Sequence, residues 1–212
     1  RYKLSSSLHN HTDFSFQDGF SKPIEYIKKA SELGLKAIAL TEHGNFCSAP
    51  YIDQLSKEYP NIKVIFGVEA YECFDMRNQD KNNKYFHLII LCKNENGRKS
   101  LNKIITASNL EGFYYKPRVD LNLLKQYASD FVVSSACLAS KIAREQNYDK
   151  CIEYINEYKS IFPHFYLEMQ SHNVDEQIEY NKKILKLSID TNTPYIITTD
   201  SHAAKLQEIQ IH

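Results

Sequence analysis

The sequence predicts an α/β domain whose strands close into a parallel barrel or a closed sheet. Short apolar runs alternate with helical stretches about seven times along the chain, the order that builds a parallel sheet flanked by helices. The 212 residues suffice for one substantial core and require no second one. Ionisable side chains also recur at the carboxyl end of one apolar run after another, where the loops of a barrel converge.

In chain order, Lys3 to His11 reads as the first strand. Ser21-Lys22-Pro23 then opens an amphipathic helix with Ile24, Ile27, Ala30 and Leu33 on its apolar side and Gly34 as its C-cap. Ala37 to Leu40 is a short buried strand running straight into Thr41-Glu42-His43-Gly44. A helix near Tyr51 to Tyr59 precedes the strand Val64 to Ala70, and the polar, Asn-rich stretch Asp75 to Lys84 suits a mobile loop. Phe86 to Leu91 is a strand and Glu95 to Leu110 carries helical periodicity, after which Gly112 to Arg118 interrupts the pattern. Asp120 is placed to cap a helix ending near Ala128. The strand Phe131 to Ser135, helices around Lys141 and from Asp149 to Ile161, the strand Phe165 to Met169, a helix near Glu176 to Asp190 and the strand Tyr195 to Thr199 follow.

Composition narrows the function classes. Hydrophobic and charged contents of 42% and 25% are those of an ordinary globular domain, and neither a membrane-length apolar run nor a secretory h-region is present. The five cysteines, Cys47, Cys73, Cys92, Cys137 and Cys151, are odd in number and lack the close spacing of a zinc ribbon or disulfide framework, which points to a reducing, cytoplasmic compartment. Lys plus Arg balances Asp plus Glu at 26 each, so the chain does not grip nucleic acid by bulk charge and would act on it locally or with help. A start at Arg1 and an end at His212 within a helical stretch suggest a fragment of something longer.

The chemistry gathers around Leu8-His9-Asn10-His11-Thr12-Asp13. Alternate side chains of a strand share a face, so His9 and His11 can converge on one metal ion. His43 directly follows the second strand, Glu69 ends the third, Cys137 follows the fifth, and Asp200-Ser201-His202 follows the last. His87 lies early in its strand and is the exception to that placement. Taken singly, Glu69 reads as a surface carboxylate, Cys137 as an inert thiol, and Asp200 as a helix cap. Taken together they imply metal, because so many ionisable groups gathered without a cation would leave charges uncompensated.

Several stretches carry a family resemblance: His9 to Asp13, Asp18-Gly19, Thr41 to Gly44, Gly67-Val68-Glu69, His87-Leu88, Ala136-Cys137-Leu138 and Thr199 to His202. They resemble the successive motifs of PHP domains, named for polymerases and histidinol phosphatases. Glu111 to Arg118 and Phe165 to Gln170 make the chain more closely similar to the form at the N-terminus of bacterial DNA polymerase III alpha subunits. The resemblance spans nearly the whole chain, 1–212, as a single domain. It implies a distorted seven-stranded (β/α) barrel with a cluster of two or three divalent ions (zinc, manganese or iron) at the carboxyl ends of its strands. His9, His11, Glu69 and Asp200 would hold one ion. Glu69 would bridge to a second ion held by His87 and Cys137, and Asp18, His43 and His202 would hold the third. Three carboxylates and one thiolate against three divalent ions leave about two positive charges for hydroxide and phosphate.

The implied activity is metal-dependent phosphodiester hydrolysis, as a 3'-5' exonuclease that proofreads primer 3' ends. A metal-bound water would be the nucleophile, with Asp200 and His202 the ligands nearest the chemistry. Lys116 and Arg118 are candidates for holding phosphate, against the alternative of solvated loop residues. Tyr114 and Tyr115 are suited to stack on a base or pack on a neighbouring domain, and Asp13 and Glu42 to orient the ligands. His164, His172 and His212 have no assigned role. The implied partners are DNA, the remaining polymerase domains of the same chain and other replisome subunits, with no membrane. No segment supplies the palm carboxylates of a polymerase active site. Two rival readings are a catalytically silent, metal-stabilised scaffold and a stand-alone small-molecule phosphatase. One departure from the polymerase pattern is that Ala203 and Ala204 follow His202 at once, where an aromatic residue and a longer acidic loop are usual.

Overall fold

The computed structural model describes residues 5–205. The chain forms β1 (Ser6–Ser7), α1 (Pro23–Glu32), β2 (Ala37–Leu40), α2 (Ala49–Glu58), β3 (Lys63–Cys73) and β4 (Tyr85–Cys92). It continues through α3 (Glu95–Leu110), β5 (Phe113–Tyr114), β6 (Lys116–Val119), α4 (Leu121–Lys125) and β7 (Phe131–Ser134). The last elements are α5 (Lys141–Arg144), α6 (Tyr148–Ile161), β8 (Phe165–Gln170), α7 (Asp175–Thr191) and β9 (Tyr195–Thr198). The expected terminal helix, and Lys3 and Leu4 of the expected first strand, lie outside the described residues.

Seven strands follow one path, β1-β2-β3-β4-β7-β8-β9, and β6 branches from β3 with β5 beside it. Past Ser7 the first strand's continuation pairs with the far end of the path through an isolated bridge, Asn10 to Ser201. There His11 N donates to Ser201 O at 2.8 Å and Ser201 N to His9 O at 3.2 Å, so the barrel nearly closes at its first and last strands.

Along that path the sheet is parallel except at one strand. β4 runs antiparallel to β3 on one side and to β7 on the other, whereas β1–β2, β2–β3, β7–β8 and β8–β9 are parallel. The reason lies in the connection: the stretch between Cys73 and Tyr85 contains no helix. A parallel return needs a crossover of about a dozen residues or more, usually helical, while a short irregular loop turns the chain back antiparallel. The loop itself is anchored, since Met76 is buried and its N–H donates to Asp120 Oδ2 at 3.1 Å.

Local chemistry accounts for the helix ends. Pro23 occupies the first turn of α1, where no N–H is needed, and Glu25 Oε2 accepts from Lys22 N at 2.8 Å. Gly34, at φ 66°, ends that helix in a left-handed turn, with Leu35 N donating to Ala30 O at 2.9 Å. Asn94 caps α3 by accepting from Asn96 N and Gly97 N, and Asp120 caps α4 by accepting from Leu123 N.

The main core packs β3, β4, β7 and β8 against α3, α6 and α7 through residues such as Val68, Ile90, Leu101, Ile155 and Ile184. A second cluster seats α1 and α2, through Ile27 and Ile52, on Ile38 and Leu40 of β2. Ala39, Ile89, Leu91 and Ala136 form a small separate cluster.

Candidate metal centre

His9 and His11 sit where the first strand's continuation meets Thr41 on one side and Ser201 on the other. Asn10 lies between them and is tied to the backbone by Nδ2–H donation to Ala39 O at 2.8 Å. Alternation therefore leaves both imidazoles on one side, and both are fully buried. Their Nε2 atoms lie 3.1 Å apart. Asp200 Oδ1 is 3.1 Å from His9 Nε2 and 3.4 Å from His11 Nε2, while the two oxygens of Glu69 are each 3.3 Å from one of those nitrogens.

Glu69 joins this group to the next. Its Oε1 also lies 3.0 Å from His87 Nδ1, and its Oε2 lies 2.8 Å from His43 Nδ1. Cys137 Sγ is 3.5 Å from His87 Nδ1 and 3.6 Å from Glu69 Oε1. On the outer side, Asp18 Oδ2 is 2.5 Å from His43 Nε2 and 3.0 Å from His202 Nε2. The ring of His11 stacks on those of His43 and His202, with centroids 4.1 and 4.7 Å apart. All the residues expected as metal ligands thus meet in one pocket, and His202 reaches it despite the short connection to Ala203. The groups range from fully buried His9 and His11 to partly exposed Asp18 and His202, so the pocket opens toward solvent on the latter side.

His87 comes to the cluster because β4 is antiparallel. Its pairing with Tyr71 sets the beginning of β4 beside the end of β3, so a residue early in its strand shares the carboxyl-end rim with the others. Left-handed backbone at Ala136 (φ 59°) and Asp200 (φ 45°) turns the chain just beyond β7 and β9, where Cys137 and Asp200 enter the pocket. Gly44, also left-handed at φ 60°, leaves room for the Tyr71 ring, which a Cβ would meet at 2.7 Å.

A surrounding shell fixes the ring orientations. His9 Nδ1 is 2.7 Å from Glu168 Oε1, and the same oxygen accepts from Thr198 Oγ1 at 2.6 Å. Ser15 Oγ donates to Glu42 Oε2 at 2.6 Å and so accepts from His11 Nδ1 at 3.0 Å. Thr12 holds the same carboxylate through its N–H and its hydroxyl. With both Nδ1 atoms committed as donors, both Nε2 atoms turn inward, the usual preparation of histidine for a cation. Glu42 has the orienting place expected of it, whereas the Asp13 side chain is exposed. Glu168, Ser15 and Thr198 were not singled out from the sequence. A carboxylate inside the apolar run Phe165 to Met169 was the available signal.

The donor set fits divalent metal. Ligands about 2.0–2.2 Å from a tetrahedral ion lie roughly 3.3–3.6 Å from one another, close to the separations among His9, His11, Glu69 and Asp200. Among the described residues, His43 Nδ1 and Asp200 Oδ1 are buried polar atoms that form no hydrogen bond, although each has a close polar neighbour. Such atoms are rare in native interiors unless they serve an ion or water. Electrostatics agrees. Burial opposes charge on His9, but Asp200, Glu168 and Glu69 outweigh it and raise its pKa well above the usual value. Burial likewise opposes charge on His11, and the adjacent carboxylates of Asp200 and Glu69 lift it to about 9. Burial works against ionisation of Glu69 and Asp200 as well, yet the histidines hold both carboxyls below their ordinary range. Protons and a cation therefore compete for the same nitrogens. Burial, followed by Glu69, pushes the Cys137 thiol up, so a metal would have to draw off its proton.

The PHP domain profile matches residues 7–172. The chain belongs to the PHP domain family. This PHP domain is 36% identical over 203 residues to DNA polymerase III subunit alpha of Borreliella burgdorferi, covering 92% of this chain and 18% of that one. It is 34% identical to the Helicobacter pylori subunit over 98% of this chain and 19% of that one, and 36% identical to the Aquifex aeolicus subunit over 97% and 19%. The chain thus spans about a fifth of the length of these relatives. Its fold is shared with a Bifidobacterium adolescentis protein provisionally described as a metal-dependent phosphoesterase (TM-score 0.60, 14% identity, 95% of this chain and 88% of that one). It is also shared with the Lactococcus lactis histidinol phosphate phosphatase solved with zinc, L-histidinol and phosphate (TM-score 0.54, 14% identity, 98% and 90%).

The two expected phosphate-holding residues of this PHP domain part company. Arg118 is 1% exposed, and its guanidinium donates to the carbonyls of Gly112, Asn83 and Met76. It fastens the loop before β4 to the hairpin of β5 and β6, and in this conformation no phosphate reaches it. The role expected of Arg118 as a phosphate ligand is corrected on that ground. Lys116 is half-buried, with Nζ 5.3 Å above the Tyr71 ring, which in turn lies 6.1 Å from His43. Among the described residues, no helix is long and apolar enough to cross a membrane.

Proposed function

We propose that this PHP domain is the N-terminal part of a bacterial DNA polymerase III alpha subunit and hydrolyses phosphodiesters with divalent metal, trimming primer 3' ends as a proofreading 3'-5' exonuclease in the cytoplasm. The observation that carries the reading is Glu69, whose two oxygens each face two histidines at 2.8–3.3 Å. One buried carboxylate shared among four imidazoles suits bridged cations, and bridged two-metal sites suit in-line displacement at phosphorus. His9, His11, Glu69 and Asp200 would hold one cation, Glu69, His87 and Cys137 a second, and Asp18, His43 and His202 a third. Zinc, manganese and iron all suit such a mixed set of imidazole, carboxylate and thiol. Bound there, the cations supply Lewis-acid polarisation and water activation at neutral pH.

The chain's own residues do the remaining work. Glu168 and Ser15 keep His9 and His11 turned inward, and Asp18 and His202 line the open side from which a substrate would enter. Lys116, beside Tyr71, carries a positive charge to that rim and is the remaining candidate for holding a phosphate oxygen.

The test is elemental analysis of the purified protein together with trimming of a labelled primer, comparing wild type with His11→Ala and Asp200→Ala. Bound divalent metal and trimming that both variants lose are expected. Undiminished trimming by the variants would remove the exonuclease reading.

A scaffold role has one observation in its favour. His9, His11 and Asp200 flank the isolated bridge between Asn10 and Ser201, so a cation there would pin the barrel seam. Chelation that lowers the melting temperature of a protein hydrolysing no phosphoester would favour that reading.

A further inference from the structure

Beside the metal centre lies a cleft of about 270 Å³ whose lining includes Lys81, Lys84, Arg118 and Arg144 and no carboxylate. In a chain of zero net charge this is a local concentration of positive charge. Arg118 contributes field rather than contact, since it is buried and three of its N–H groups donate to carbonyls. Lys81 and Lys84 are exposed, and Arg144 gives one donor to Tyr85 O at 3.4 Å.

Tyrosines complete the cleft. Tyr115 is 80% exposed at the tip of the β5–β6 hairpin and sits in the left-handed region at φ 60°. A bulky residue is disfavoured there, and core packing does not account for it. Its ring lies edge-on to Tyr114, 4.7 Å away, and Arg118 is 5.2 Å from the Tyr114 ring. Tyr85, also in the lining, meets Tyr71 at 5.1 Å, and Tyr71 meets His87 at 5.5 Å. An unbroken run of rings therefore leads from the cleft to the metal ligands.

We propose that this cleft holds single-stranded nucleic acid, with Lys81 and Lys84 on its phosphates and Tyr115 against a base, and feeds the strand's end toward the metal centre. Cations lining a cleft beside an exposed ring, with no carboxylate in the lining itself, are what sequence-tolerant single-strand binding requires. The assignment of the strand's destination rests on the hydrolytic reading above, but the binding does not.

The experiment is fluorescence anisotropy of a labelled oligo(dT) 12-mer, with chelator present so that nothing is cleaved, on wild type, Lys81→Glu/Lys84→Glu and Tyr115→Ala. The substituted side chains are exposed, and unchanged melting temperatures would verify that folding is intact. The expected result is affinity at least tenfold weaker for the double variant, with the slope of log affinity against log salt shallower by about 1.4 or more. Tyr115→Ala should bind at least fivefold more weakly. Unchanged affinity and slope in both variants, no binding by wild type, or equal affinity for poly-glutamate would overturn the proposal. With metal restored, the two readings separate. A strand that binds through the cleft and is never trimmed removes hydrolysis and keeps the cleft, whereas trimming by the double variant with unchanged KM removes the cleft and keeps hydrolysis.

Discussion

Glu168 Oε1 lies 2.7 Å from His9 Nδ1, while the Nε2 of the same ring points at Glu69 and Asp200. This carboxylate never faces the cluster, yet it decides which nitrogen does. Glu168→Gln keeps the shape and an acceptor but loses the charge, so metal affinity should fall about tenfold. Glu168→Ala should lose up to about a hundredfold. Competition against a chromophoric chelator reads both values, and wild-type affinity in Glu168→Ala would end the argument.

Metal should stabilise the fold through residues that flank the barrel seam. A cation at about a hundred times its dissociation constant adds about 2.7 kcal/mol, or roughly 5–10 °C in melting temperature for a domain of this size. Thermal scans with and without chelator should display that shift in wild type and not in His9→Ala. A full shift in His9→Ala would mean that metal binds elsewhere.

Arg118→Lys should behave as a stability mutation. A lysine cannot reproduce the fork that reaches Gly112, Asn83 and Met76, and at least one buried carbonyl would lose its partner. A loss of about 2–4 kcal/mol in urea unfolding is expected. Loss of phosphate affinity at unchanged stability would restore Arg118 to the substrate site.

The buried pair Lys141–Glu72, 2.6 Å apart, ties α5 to the end of β3. Phe74, Tyr154 and Tyr158 surround the ammonium at 5.0, 4.9 and 5.2 Å from their ring centroids, and Tyr158 donates to the same carboxylate. Glu72→Gln alone would leave a buried cation without its counter-charge and should destabilise by about 3–5 kcal/mol. Glu72→Gln/Lys141→Met should recover most of that loss in denaturant titration. A double variant no better than the single one would show that packing, not charge, governs this corner.

Sequence alone was enough for the strand-end placement of most candidate ligands and for the caps at Gly34 and Asp120, because side-chain alternation, capping and loop chemistry act over a few residues. His9 and His11 share a face by strand period, and Asp120 caps α4 by its own carboxylate. Three matters needed the tertiary structure. The direction of β4 placed His87 at the rim, burial removed Arg118 from the phosphate candidates, and the pairing of Glu168 with His9 revealed an orienting group 159 positions away in the chain. Each depends on which distant backbone lies alongside. Local propensity does not encode that, because strand partners are selected by the packing of the whole sheet.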